Sequence, residues 1–212
     1  MSSRIFACGW LGLMLVISAC SKPRGFSAEE MNDIYESALA DTAAPVATSF
    51  AGEQAAEDAA LAALRDFFAE MSAASVVADA RNVYANDAWL YDNLTVVQGG
   101  QAIESYLAHA AEQTRFLRVE FLQVARDGID YFVRWKMTMQ VDALADDAPL
   151  VSYGMTQFRF NKDGQVLLHR DFWDSSTGVY EYVPVAGGLI QRLRGRLAGS
   201  QSEASKQAEA KL

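Results

Sequence analysis

Residues 131–141 read Tyr-Phe-Val-Arg-Trp-Lys-Met-Thr-Met-Gln-Val. In an extended chain, Tyr131, Val133, Trp135, Met137, Met139 and Val141 fall on one side, and Arg134, Lys136, Thr138 and Gln140 on the other. This period of two predicts a strand in a sheet with one buried face and one wet face. Two further strands are expected downstream, over 152–160 and 165–173. They flank Asn161-Lys162-Asp163-Gly164, a hairpin turn with glycine placed for positive φ. Upstream, 88–92 reads as a short strand.

Before these strands the period is helical. Ser27-Ala28-Glu29-Glu30 matches a capping box, with Ser at the N-cap and Glu three residues on. A helix from there to about Ala40 places Met31, Ile34, Tyr35 and Leu39 on one face. Asp41 to Gly52, with Pro45, interrupts it. Glu53–Met71 reads as a strong helix carrying Leu61, Leu64, Phe67 and Phe68 at helical spacing, followed by a helix over Ser75–Tyr84. Gly99-Gly100 turns the chain into another, Gln101–Glu112. Helices followed by an antiparallel sheet make an α+β layout.

The chain has 212 residues, 51% hydrophobic and 21% charged, which is enough apolar mass for one packed domain. Its net charge is −9. Such a balance argues against nucleic acid as a partner, because phosphate binding relies on Lys and Arg clusters. Both cysteines, Cys8 and Cys20, lie in the first twenty residues, so the body has no thiol for a disulfide or a metal. Arg4 precedes an apolar run, Ile5–Ile17, of signal-peptide length. The run ends in Ile17-Ser18-Ala19-Cys20, which matches a bacterial lipobox. Cleavage before Cys20, lipid on that cysteine and attachment to a membrane are therefore expected. Ser21 at the next position points to the outer membrane, with the domain on its periplasmic face. The expected division is a signal peptide over 1–19, a tether and short helix over 20–52, a domain over 53–198 and a disordered tail over 199–212.

Several strings resemble the nuclear transport factor 2-like superfamily, in its SnoaL-like and ketosteroid-isomerase-like branch. They are Val83-Tyr-Ala-Asn-Asp-Ala-Trp-Leu-Tyr-Asp92, the helix start Gly99-Gly-Gln-Ala-Ile103, Phe158-Arg-Phe-Asn-Lys-Asp-Gly164 and Leu168-His-Arg-Asp-Phe-Trp-Asp174. The resemblance implies a cone: a curved antiparallel sheet wrapped around N-terminal helices to enclose an apolar pocket. It says little about function, because one fold hosts many chemistries.

The resemblance sets Asp92 where the isomerases carry their catalytic base. On its strand Asp92 shares a face with Ala88 and Leu90, and apolar walls there favour the protonated acid. The other reading is a carboxylate capping a turn amide near Asn93. The phenol donor of the isomerases corresponds to Phe68, which has no hydroxyl. Their carboxylic acid donor corresponds to Thr156, which cannot act as a strong acid. Steroid isomerisation is thereby disfavoured. His169, Asp171 and Trp173 alternate onto one strand face together with Leu167. Asp171 either orients His169 and raises its basicity, or forms with it a satisfied pair that fixes strand register. His109 lies at no recognisable ligand spacing, so no metal site is expected. No cofactor motif is present either. In Val185–Leu197, Leu189, Ile190, Leu193 and Leu197 share a side of a helix that carries Arg192, Arg194 and Arg196. This is either a membrane-surface helix or one packed on the domain.

Three functions stay open. The first is an envelope lipoprotein binding a small apolar or amphipathic ligand between Trp135, Met137, Met139, Thr156, Phe158 and Trp173, with Asp92, His169 and Asp171 as polar fixers. The second is an enzyme of isomerase, cyclase or hydrolase type using Asp92 or His169–Asp171 for proton transfer. The third is an envelope adaptor. A homodimer through the sheet is left open.

Overall fold

The structure is a computed structural model and describes residues 26–44, 46–48, 50, 53–141, 149–175 and 186–197. Six strands form one sheet in the order β2-β1-β6-β5-β4-β3. They are β1 (Tyr84–Asp92), β2 (Thr95–Gln98), β3 (Thr114–Asp127), β4 (Asp130–Val141), β5 (Leu150–Phe160) and β6 (Val166–Trp173). Neighbours are antiparallel except β1 and β6, which run parallel. The sheet is curved and does not close. The α+β expectation holds, but with two strands more than the sequence reading supplied.

Strand β4 follows the alternation of its sequence. Tyr131, Val133, Trp135 and Met139 are buried, while Arg134 is exposed. The long strand β3 went unread because its pattern breaks. The register shifts between Phe121 and Gln123, so Phe121 pairs with Trp135 and Gln123 with Arg134. Such a bulge takes the side chains beyond it out of phase with those before it. A two-residue turn, Gly128-Ile129, joins β3 to β4 with Gly128 at φ 58°. The hairpin at 161–164 forms as expected, with Gly164 at φ 79°.

Helices α2 (Gln54–Ala69), α3 (Ala73–Val83) and α4 (Gly100–Glu112) pack on the concave face. Their apolar stripes supply Leu64, Phe67, Phe68, Val76, Ala80, Ile103 and Leu107 to the core. The start of α4 comes so close to β1 that a Cβ on Gly100 would stand 2.8 Å from the carbonyl oxygen of Ala85. The double glycine at 99–100 therefore serves two needs: Gly99 takes φ 94° and Gly100 permits that approach. Tyr84, expected at the end of a helix, instead opens β1 with its ring fully buried.

Helix α1 (Ala28–Asp41) starts at the anticipated capping box, in which Glu30 N–H donates to Ser27 Oγ at 3.2 Å. It does not lie inside the cone with the other helices. It covers the convex face, where Tyr35 donates to Gln157. Arg159 donates to the carbonyl of Leu39 at 2.8 Å and pairs with Asp130 at 2.6 Å. Arg170 stacks 3.4 Å from the ring centre of Tyr91, with Tyr35 beyond it at 4.8 Å. The last described helix, α5, is Ala186–Leu197.

Candidate functional site

A cavity of about 200 Å³ lies between the concave face of the sheet and helices α2 and α4, open to solvent on one side. Its apolar wall includes Leu90 on β1, Phe68 on α2 and Leu117, Val119 and Phe121 on β3. The nine pocket residues singled out in the sequence come together here. Trp135, Met137 and Met139 line it from β4, Thr156 and Phe158 from β5, Asp92 from β1, and His169, Asp171 and Trp173 from β6. One rule brings them together: alternate residues of adjacent strands share a face.

A chain of hydrogen bonds crosses the floor. His169 Nε2 lies 3.0 Å from Asp171 Oδ1 and Nδ1 lies 2.7 Å from the Tyr84 hydroxyl. A carboxylate oxygen only accepts, so Nε2 carries the proton in the neutral ring, and Tyr84 O–H donates to Nδ1. Burial, and then Asp171, push the Tyr84 phenol well above its ordinary range, which keeps it a donor. Thr156 O–H also donates to Asp171 Oδ1, while its oxygen accepts from Trp135 Nε1 at 2.8 Å. Both nitrogens of His169 are thus hydrogen-bonded. The pair is satisfied, and it faces the cavity.

Asp92 stands beside Asp171. The parallel register pairs Leu90 with His169 and Tyr91 with Arg170; Asp92 and Asp171 are the next residues of the two strands, and both line the cavity. Asp92 Oδ2 accepts from Tyr106 O–H at 2.8 Å. Its Oδ1 accepts from Leu94 N–H at 3.3 Å and Trp173 Nε1–H at 3.4 Å. It thus caps the turn amide as well as facing the cavity. Burial first, and Asp171 second, raise its pKa from the ordinary carboxylate value, against the opposing pull of those three donors. Among the described residues, no Lys or Arg lines the cavity.

Three residues that shape the site were not found in the sequence. Tyr84 was hidden by its assignment to a helix. Tyr106 was hidden among the core positions of α4, although it lies three residues from Ile103 on the same stripe. Gly154 sits between Trp135 and Trp173 in the paired strands, where any side chain would collide with the Trp135 indole and the Trp173 Cβ. One expected neighbour is elsewhere. A bulge between Arg159 and Phe160 shifts β6, so Leu167 borders a small outer cleft with Thr42 and Trp89 rather than sharing the face of His169. Phe68 packs edge-on to His169 at 5.8 Å and adds no donor. Thr156 sits where the sequence reading put it.

Leu189 and Leu193 of α5 are exposed, and Arg194 lies 3.4 Å from Asp174. Cys20 and the 20–25 tether lie outside the described residues, as do Val185 and the 199–212 tail.

The profile of the SnoaL-like domain family matches residues 64–169, which carry β1 to β5, the first residues of β6 and most of the cavity. No curated protein matches the sequence. Among solved structures, the chain is similar to a protein of ketosteroid isomerase-like fold from Catenulispora acidiphila in complex with trimethylamine. That likeness is 12% in identity with a TM-score of 0.51, and covers 60% of this chain and 95% of that one. An LEH-like epoxide hydrolase of M. tuberculosis is 14% identical with a TM-score of 0.46, over 66% of this chain and 86% of that one. A SnoaL-like polyketide cyclase from Jannaschia is 15% identical with a TM-score of 0.47, over 65% and 96%.

Proposed function

The chain belongs to the SnoaL-like domain family, and we propose that its cone cavity binds a small apolar or amphipathic molecule. One observation carries this reading: the cavity wall is largely apolar, and its polar groups gather where β1 meets β6. Apolar walls supply affinity and a few convergent polar groups fix orientation. A molecule with an apolar body and one polar end would bury its body against Met137, Met139 and Leu117 and turn its polar end to Asp92 and Asp171. Native mass spectrometry of the chain, purified gently from its own host, tests this. A co-purifying small molecule that is lost on Trp173→Ala is the expected result. A chain that emerges empty and takes up no apolar probe would refute it.

A second reading is favoured by Asp92, whose burial and nearby Asp171 raise its proton affinity above that of an ordinary carboxylate. In that reading the ligand is a substrate and Asp92 moves a proton. The discriminating result is a chemically altered ligand after incubation with the wild type and an unaltered one with Asp92→Asn.

We further propose that the domain is held in the cell envelope by lipid on Cys20, on the periplasmic face of the outer membrane. Incorporation of a labelled fatty acid, abolished by Cys20→Ala, together with fractionation into outer membranes, tests this.

A further inference from the structure

Among the described residues, the cavity wall carries two carboxylates and no Lys or Arg to balance them. Asp92 and Asp171 each follow the last paired positions of adjacent parallel strands, Tyr91 and Arg170, and both line the same space. Among the described residues, His169 is the sole basic side chain on the wall, and both of its nitrogens are already engaged, by Tyr84 and by Asp171. Thr156 and His169 both bond Asp171 at Oδ1, and among the described residues nothing donates to Oδ2. Around this acidic corner the wall is aromatic, with Trp173, Trp135, Tyr106 and Phe158.

We propose that the cavity selects a cationic amphiphile: an organic amine whose ammonium group sits at Asp92 and Asp171 and whose apolar body lies along Met137 and Met139. This rests on the ligand-binding reading above and names its ligand class. Three features agree. An N–H of an ammonium satisfies the open Oδ2 of Asp171, which an anion or ether oxygen cannot do. The positive charge relieves the repulsion between neighbouring carboxylates. The indole and phenol faces attract a cation held close to them. A carboxylic acid ligand meets the opposite field and is rejected.

The test uses one skeleton with three heads: cyclohexylmethylamine, cyclohexylmethanol and cyclohexanecarboxylate. Binding to the purified full-length chain at neutral pH is read from the fluorescence of Trp135 and Trp173 and by calorimetry. The amine is expected to bind at least about tenfold tighter than the alcohol, and the carboxylate to bind weakest. Asp92→Asn is expected to remove most of the preference of the amine over the alcohol. Asp171→Asn, which keeps one oxygen for His169 and Thr156, gives a second check should the first variant fail to fold. If the alcohol binds as tightly as the amine, the charge selection is overturned and the pocket stands. If none of the three binds, both the selection and the ligand-binding reading fall.

Discussion

The Tyr84 hydroxyl donates to Nδ1 of His169 across 2.7 Å, joining the first residue of β1 to the middle of β6 inside the core. The two rings lie nearly parallel, 10° apart in plane, with centres separated by 6.0 Å. Asp171 holds the other side of the imidazole at 3.0 Å. Tyr84→Phe would keep the packing and remove only the donor, leaving a buried nitrogen unsatisfied. We expect a loss of about 1–3 kcal/mol in unfolding free energy, measured by urea denaturation. An unchanged midpoint would mean that the contact contributes nothing.

Asp92 gives the stability a pH dependence of definite sign. Burial and the neighbouring Asp171 raise its folded pKa above the ordinary value of 3.8 at which the unfolded chain titrates. Between those two values the folded protein holds a proton that the unfolded chain has released. Acidification through that window therefore adds stability, and at neutral pH the buried charge is a cost. Asp92→Asn carries no charge at any pH. It is expected to be more stable than the wild type at pH 7, with the difference closing as pH falls toward 3.8, the lower end of that window. Thermal melts of both proteins across that range would decide the point.

How far the sequence was legible follows from which patterns are local. The alternation in 131–141 and the turn at 161–164 report strand faces directly, so the side chains of the cavity could be assigned before their neighbours were known. Bulges are different. One in β3 hid the whole strand, and one in β6 moved Leu167 to the other side, because a register shift is decided by the partner strand. Tyr84 and Tyr106 were invisible for a related reason. Each looks like an ordinary core aromatic until a partner on another element shows that its hydroxyl is used. The placement of α1 on the convex face also depends on distant partners, Asp130, Gln157 and Arg159.

Those partners supply a third prediction. The Arg159 guanidinium is almost buried between Asp130 and the C-terminal turn of α1, reaching the carbonyl of Leu39 at 2.8 Å and Thr42 Oγ1 at 3.2 Å. Asp130 also accepts from Gln157 Nε2 at 2.6 Å. Asp130→Ala removes the acceptor and leaves a largely desolvated cation behind. The expected cost is about 3 kcal/mol. It should fall first on α1, as faster hydrogen exchange of amides in 28–41 than in α2. If exchange speeds up equally throughout, α1 is not a separately held element.

Gly154 makes room for the two indoles of the cavity. It pairs with Trp135 on one side and Trp173 on the other, and a Cβ there would stand 2.4 Å from Trp135 Cζ2 and Cη2 and 2.8 Å from Trp173 Cβ. Those atoms belong to a ring locked by its Nε1 bond to Thr156 and to the root of a side chain, so neither can yield cheaply. Gly154→Ala should therefore cost about 1–3 kcal/mol and change the tryptophan emission, because one indole must leave its seat. Gly188, on α5, has open space where its Cβ would go. There the same substitution should leave stability unchanged or raise it by about 0.5–1 kcal/mol, since glycine is the weaker helix former. If Gly154→Ala is as harmless as Gly188→Ala, the packing of Trp135 and Trp173 against β5 is looser than described, and the aromatic wall of the cavity would have to be redrawn.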